Sequence, residues 1–182
     1  MPFYYLYLAG YIEKYGITCE IADPHFYTEK ENCDAILADI ARLKPRWVGL
    51  ACFCTDYVVV SDLAFAIKER FPAVKIMVGN AQPSVNPGDF LYEGSPFDLV
   101  VRGEGEITLR DIIETDKASK DYTRIAGIAY FEDGKVVQSP TRPLMDLKEC
   151  GQPAYHKIDV AWYAEVNKYL LRRIPAAGAH IF

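Results

Sequence analysis

No stretch of the chain approaches the roughly 18–20 continuous apolar residues that a membrane-spanning helix requires. Basic residues are in deficit, 20 Lys and Arg against 25 Asp and Glu, for a net charge of −5. With a pI of about 5.2 there is no field to draw in nucleic acid. The clusters Lys68/Arg70 and Arg172-Arg173 are too short to create one locally. Residues 1–10 are apolar but lack a basic leader and a small-residue cleavage site, so a cytoplasmic location is expected. Five cysteines at irregular spacing make no disulfide framework. Internal repeats and low-complexity tracts are also lacking. Neither a phosphate-loop lysine motif nor a Gly-x-Gly-x-x-Gly fingerprint is present, which leaves little support for a stand-alone small-nucleotide enzyme.

What remains is a chain with enough apolar substance for a sizeable core. Apolar residues make up 51% of 182 positions, a length that suits one domain with an appendage. Tyr4, Leu8, Tyr11 and Ile12 recur at helical spacing over residues 1–14, and Gly16 is placed to cap that helix in the left-handed region. Cys19 to Asp23 reads as a short strand ending in an Asp-Pro turn. Asn32 to Leu43 reads as a second helix. Trp47 to Phe53 is nearly unbroken apolar sequence, the pattern of a strand covered on both faces. A helix from Tyr57 to Phe71 follows, then a strand from Lys75 to Val78. Pro87 to Tyr92 makes a short helical turn. Asp98 to Arg102 is a further strand, and a helix runs on through Glu114. Short strands each followed by a helix signify right-handed crossovers and a parallel sheet. Ile125 to Phe131 and Val136-Val137 flank Asp133-Gly134, an antiparallel hairpin signal.

The fold class is therefore α/β, a doubly wound, Rossmann-like or flavodoxin-like parallel sheet carrying a hairpin. Residues 1–138 form the domain, and the proline-punctuated residues 139–182 form an irregular linker with a short helix over 159–168. A doubly wound sheet opens with a strand, whereas this chain opens with a helix. The first strand is accordingly expected to be missing from the sequence, or to be supplied by a partner chain through strand exchange.

In open parallel sheets ligands bind at the carboxyl ends of the strands. Three loops occupy such ends: Thr55-Asp56-Tyr57 after Cys54, Gly79-Asn80-Ala81-Gln82 leading to Pro83-Ser84, and Gly103-Glu104-Gly105 leading to Glu106. Glycine lets backbone approach a ligand, Thr55 and Ser84 offer hydroxyls, and helix N-termini beside the loops add partial positive charge. No catalytic residue is assigned. Glu104 and Glu106 alternate in a glycine turn without needing to converge, and Glu106 suits its helix dipole. No metal site is assigned either. Cys52 and Cys54 would share one face of a strand but lack further ligands. His25 in Asp23-Pro24-His25 begins like an Asp-x-His-x-x-Gly cobalt-ligand motif, but Thr28 stands where its glycine should be. His156 and His180 lie in the irregular tail.

Several segments, taken in order, resemble the N-terminal cobalamin-binding-like domain of radical-SAM proteins, the group that includes anaerobic Mg-protoporphyrin IX monomethyl ester oxidative cyclase and class B methyltransferases. They are residues 6–16, Lys44-Pro45-Arg46-Trp47-Val48-Gly49-Leu50, Ile67-Lys68, Val78-Gly79-Asn80-Ala81-Gln82-Pro83-Ser84, Val101-Arg102-Gly103-Glu104-Gly105-Glu106 and residues 125–130. The resemblance implies cobalamin held between this domain and a following radical-SAM barrel of the same polypeptide, with Thr55, Asp56, Tyr57, Gly79, Asn80, Ala81, Gln82, Gly103, Glu104 and Gly105 in the binding loops. Asn80 stands where the second glycine of a Gly-Gly pair is common. The family's Cys-x-x-x-Cys-x-x-Cys cluster, which holds a 4Fe-4S centre and S-adenosylmethionine, is not in this sequence. Those two groups are expected only in a downstream domain, and the fragment alone should not perform radical chemistry. The alternative is a cofactor-free docking module, with the edge pocket plugged by Phe53, Tyr57 or Gln82.

Overall fold

The computed structural model describes residues 2–23, 29–118 and 121–170. His25, Arg172-Arg173, Pro175 and His180 lie outside the described residues. The chain divides into two compact units, residues 24–149 and the pair of segments 1–23 and 150–182.

Within residues 24–149 three parallel strands come first in the chain: β1 (Trp47–Ala51), β2 (Lys75–Gly79) and β3 (Leu99–Val101). They lie in the order β1-β2-β3 and are joined in parallel, with Gly49 opposite Met77 and Met77 opposite Leu99. The antiparallel hairpin β4 (Ile128–Glu132) and β5 (Lys135–Gln138) extends the sheet beyond β3. Its two-residue turn has positive φ at both Asp133 (50°) and Gly134 (75°), the backbone that matches the right-handed twist of the flanking strands.

Side chains alternate across this sheet and divide the core in two. On one face Ile76, Val78 and Val100 meet Leu37 and Ile40 of α2 (Glu29–Leu43) and Ala64 and Ile67 of α3 (Tyr57–Arg70), with Phe90 and Leu91 filling the space beside them. On the other face Met77, Leu99, Val101 and Ile128 meet Ile112 of α5 (Glu106–Lys117). Helices on both faces make the sheet doubly wound. Burying one such Ile or Phe stabilises the fold by roughly 1.5–3 kcal/mol, so this layered core is the main source of stability.

Several sequence expectations change in detail. β1 is an edge strand among the described residues and is only half-buried, with Gly49 exposed, so it is not covered on both faces as its unbroken apolar run suggests. It ends at Ala51, and Cys52 leaves the strand. Cys52 is therefore buried while Cys54 is exposed, and the two do not share a face. Residues 19–23 join no strand among the described residues; alternating apolar residues make a strand only when a ladder partner is present. α2 begins three residues early, with Lys30 and Asp34 paired one turn apart at 2.7 Å. The loop after β2 contains a short helix, α4 (Ala81–Val85), followed by a 3-10 turn over Pro87–Asp89.

In the other unit α1 (Phe3–Glu13) is closed by Gly16 at φ 67°, with the Ile17 amide donating to Ile12 O. This is the left-handed cap its sequence predicts. Leu6 O accepts from the Ala154 amide at 2.9 Å, and a Cβ on Gly10 would lie 2.0 Å from Gln152 O. Only glycine allows these two backbones to approach so closely. Lys157 reaches Cys19 O at 2.7 Å and the Glu13 carboxylate at 3.0 Å, and Tyr163 donates to Asp23. His156, in a 3-10 turn over Tyr155–Lys157, sits 3.2 Å from Glu13. The chain also contains the helices α6 (Leu147–Cys150) and α7 (Val160–Leu170). Among the described residues no helix is long and apolar enough to cross a membrane.

Candidate functional site

Because β1, β2 and β3 are parallel neighbours, the chain leaves all three at the same edge of the sheet. Thr55, Asp56 and Tyr57 follow β1; Gly79, Asn80, Ala81 and Gln82 close β2 and open α4; Gly103, Glu104 and Gly105 lie between β3 and α5. Adjacent strands stand about 4.8 Å apart, so the three loops form one rim. Two of them are bonded directly: the Gly103 amide donates to Ser84 Oγ at 3.1 Å, and Ser84 Oγ donates to Asn80 O at 2.7 Å.

The backbone of the rim has special geometry at two points. Gly103 has φ 74°, and a Cβ built there would meet nothing within 4 Å, so glycine is needed for conformation and the space above it is open. Asn80 has φ 86° and ψ −163°. This region is essentially reserved for glycine and costs a residue with a side chain roughly 1–3 kcal/mol. Asn80 recovers part of that by accepting the Ala81 amide with its own Oδ1 at 2.7 Å. Strain of this size persists where the surrounding structure holds it, and such positions cluster at ligand sites.

The rim's side chains divide into two sets. Thr55 Oγ1 donates to Asp56 Oδ1 at 2.7 Å, and Asp56 makes no side-chain cap on α3. Both are surface groups at the mouth of a helix N-terminus. Tyr57, by contrast, turns inward: its hydroxyl donates to Asp89 O at 2.9 Å, and its ring packs edge-on against Phe90 at 5.3 Å. Gln82 likewise donates its amide to Asp89 Oδ2 at 2.9 Å. The Glu104 carboxylate accepts the Met145 amide at 2.7 Å. Tyr57, Gln82 and Glu104 thus brace the loops, a role that residue type and spacing alone do not signal. Cys52, beneath the first loop, is pushed up to about 11 by burial, with Asp56 and Cys54 adding to it; it is an inert core thiol.

A cleft of about 290 Å³ opens at the opposite edge of the sheet, among Trp47, Lys75, Tyr122 and Tyr130. Lys75 and Tyr122 in its wall are tied to a structural carboxylate beside it. Asp116, with only 5% of its side chain exposed, pairs with Lys75 and with Arg46, both at 2.7 Å, and accepts from Tyr122. The Lys75 ammonium lies 5.2 Å from the Trp47 ring centre and 5.1 Å from that of Tyr122. Burial works to raise the Asp116 carboxyl. Hydrogen bonds from Lys75 and Tyr122 and the charges of Lys75 and Arg46 outweigh it and hold the group below the usual carboxylate range.

The arrangement of sheet and helices has known counterparts. Residues 2–113 match the model of the B12-binding domain. The chain belongs to the B12-binding domain family. This domain is 29% identical over 138 residues to an uncharacterised methyltransferase of Pyrococcus horikoshii, covering 71% of this chain and 29% of that protein. It is 23% identical over 165 residues to the anaerobic magnesium-protoporphyrin IX monomethyl ester cyclase of Synechocystis, covering 90% of this chain and 33% of the cyclase. It spans about a third of the length of these relatives. In fold it resembles the cobalamin-dependent S-adenosylmethionine radical enzyme OxsB, solved with aqua-cobalamin and S-adenosylmethionine bound. The TM-score is 0.76 at 21% identity, over 93% of this chain and 23% of OxsB. The methyltransferase TsrM of Kitasatospora setae, solved with cobalamin and a [4Fe-4S] cluster, aligns with a TM-score of 0.64 at 19% identity, over 84% of this B12-binding domain and 28% of TsrM.

Proposed function

We propose that this B12-binding domain holds cobalamin along the rim formed by Thr55-Asp56-Tyr57, Gly79-Asn80-Ala81-Gln82 and Gly103-Glu104-Gly105. It would serve as the accessory domain of a radical-SAM enzyme that carries out methyl transfer or oxidative cyclisation. The observation that carries the reading is the gathering of three loops on one edge, with glycine backbone at Gly79 and Gly103, open space over Gly103, and strain held at Asn80. A large polar ligand tail needs this combination: backbone it can approach closely, and hydroxyls such as Thr55 and Ser84 to meet its amides or phosphate. A bound corrinoid supplies the cobalt chemistry, and the chain supplies binding and orientation. Tyr57, Gln82 and Glu104 contribute indirectly, by fixing the loops.

The 4Fe-4S cluster and S-adenosylmethionine belong in this reading to a barrel further along the same polypeptide, with residues 139–182 leading toward it. A cofactor-free docking module is the second reading, favoured by the inward turn of Tyr57 and Gln82 onto Asp89. Titrating purified protein with hydroxocobalamin separates the two. The first expects a shift of the corrin absorbance bands and a saturable calorimetric heat. An unaltered spectrum without heat would leave the docking module.

A further inference from the structure

Residues 139–146, punctuated by Pro140 and Pro143, look like a loose connector in sequence, but the structure fastens them at Ser139, Pro140, Arg142 and Met145. Ser139 Oγ accepts the Ile128 amide at 2.9 Å and donates to Ile128 O at 3.0 Å. Pro140 O accepts the Gly127 amide at 2.9 Å. Arg142, with 16% of its side chain exposed, donates from Nε to Thr108 Oγ1 at 2.8 Å. Its terminal nitrogen donates to Asp111 Oδ2 at 2.6 Å and to Ala126 O at 3.1 Å. Gly127 makes room for this: with φ 81°, a Cβ there would lie 3.0 Å from Thr108 Oγ1 and 3.3 Å from the Arg142 Cβ.

The strap also holds both neighbours of Gly103. Arg102 donates to Ser139 O at 3.1 Å, and Glu104 accepts from the Met145 amide at 2.7 Å. Gly103 itself donates to Ser84 in the adjoining rim loop. Strap, third loop and second loop are thus one continuous set of hydrogen bonds.

We propose that residues 139–146 form a docked strap that positions the Gly103 loop, with Arg142 as its positioning residue and Arg102 and Glu104 as the contacts through which strap and loop move together. Whatever binds at the rim is then sensed by the segment that leaves the domain, and the reverse holds by reciprocity of coupling. The coupling itself concerns the ligand-free protein; its extension to cobalamin rests on the function proposed above.

Hydrogen exchange followed by mass spectrometry tests it on the whole chain. In Arg142→Ala, exchange in peptides covering 139–149 should accelerate by about tenfold or more, and exchange over 101–107 should accelerate with it. Arg142→Lys, which keeps the charge but not the two-sided fork, should fall between. Release of 139–149 with 101–107 unchanged would overturn the proposal. If Arg142→Ala fails to fold, Glu104→Ala serves instead: acceleration over 139–149 supports the coupling and wild-type exchange there refutes it. In wild type, saturating hydroxocobalamin should slow both segments, and slowing of 101–107 alone counts against the strap. An absence of any cobalamin spectral change refutes the cofactor reading, and the exchange rates of the ligand-free variants then decide for or against the strap by themselves.

Discussion

At their amino ends β1 and β2 are closed by Trp47, Lys75, Tyr122 and Asp116, large side chains joined by charge and ring contacts. At their carboxyl ends the same strands, with β3, run into Asn80 and Gly103, positions set by backbone shape rather than side-chain bulk. One edge is fastened and the other is held open at a cost in strain. The two edges of a single sheet therefore differ in construction: the start of the strands is built for stability, and under the function proposed above their ends, where ligands of parallel α/β sheets bind, are built for recognition.

The contrast can be broken most forcefully at the fastened edge. Asp116→Ala should destabilise the chain by about 2 kcal/mol, read from denaturant unfolding. That is less than the usual cost of breaking a buried pair, because Lys75 and Arg46 are exposed enough to return to water. The same substitution should leave cobalamin titration curves unchanged. Because the Asp116 carboxyl is held down in the folded chain, its contribution is complete above the ordinary aspartate value of about 3.9 and is lost as pH falls through the depressed folded value. Unfolding of Asp116→Asn measured across acid pH should lack that portion of the wild-type loss.

At the open edge the pattern should invert. Gly103→Val, forced into positive φ, should cost about 1–2 kcal/mol of stability while removing measurable hydroxocobalamin binding. Asn80→Gly should raise stability by about 1 kcal/mol through release of strain, detected as a higher melting temperature. Thr55→Val should be the mildest, within about 0.5 kcal/mol in stability, with a several-fold weaker cobalamin titration as its only clear effect.

The alternation of strand and helix is readable in the sequence because β2, β3 and the helices α2, α3 and α5 carry their own periodicities, and Asp133-Gly134 announces its turn by chemistry alone. The rim positions follow from topology: once strands are parallel, their following loops must share an edge. What stays hidden depends on residues distant in sequence. Asp116 sits near the end of α5 like any surface acid, and only folding brings Lys75 and Arg46 to it. α4 is too short, and too interrupted by Pro83, to stand out from a loop. Glu104 has the sequence setting of a ligand-facing carboxylate, whereas the fold places the Met145 amide on it. Arg142, a lone arginine between prolines, offers a faint signal, since a cation in an otherwise irregular stretch needs a partner.

The close passage of Gly10 beside Gln152 has a bearing on how the chain is made. Residues 24–149 are contiguous and can fold as they emerge from the ribosome, as domains generally do. α1 precedes that unit in the chain, yet it meets Gln152 only after some 140 more residues have been added, the separation between Gly10 and Gln152. Until Gln152 and its neighbours arrive, the Gly10 face of that helix lacks its counterpart, which makes it a surface for a chaperone to protect during synthesis.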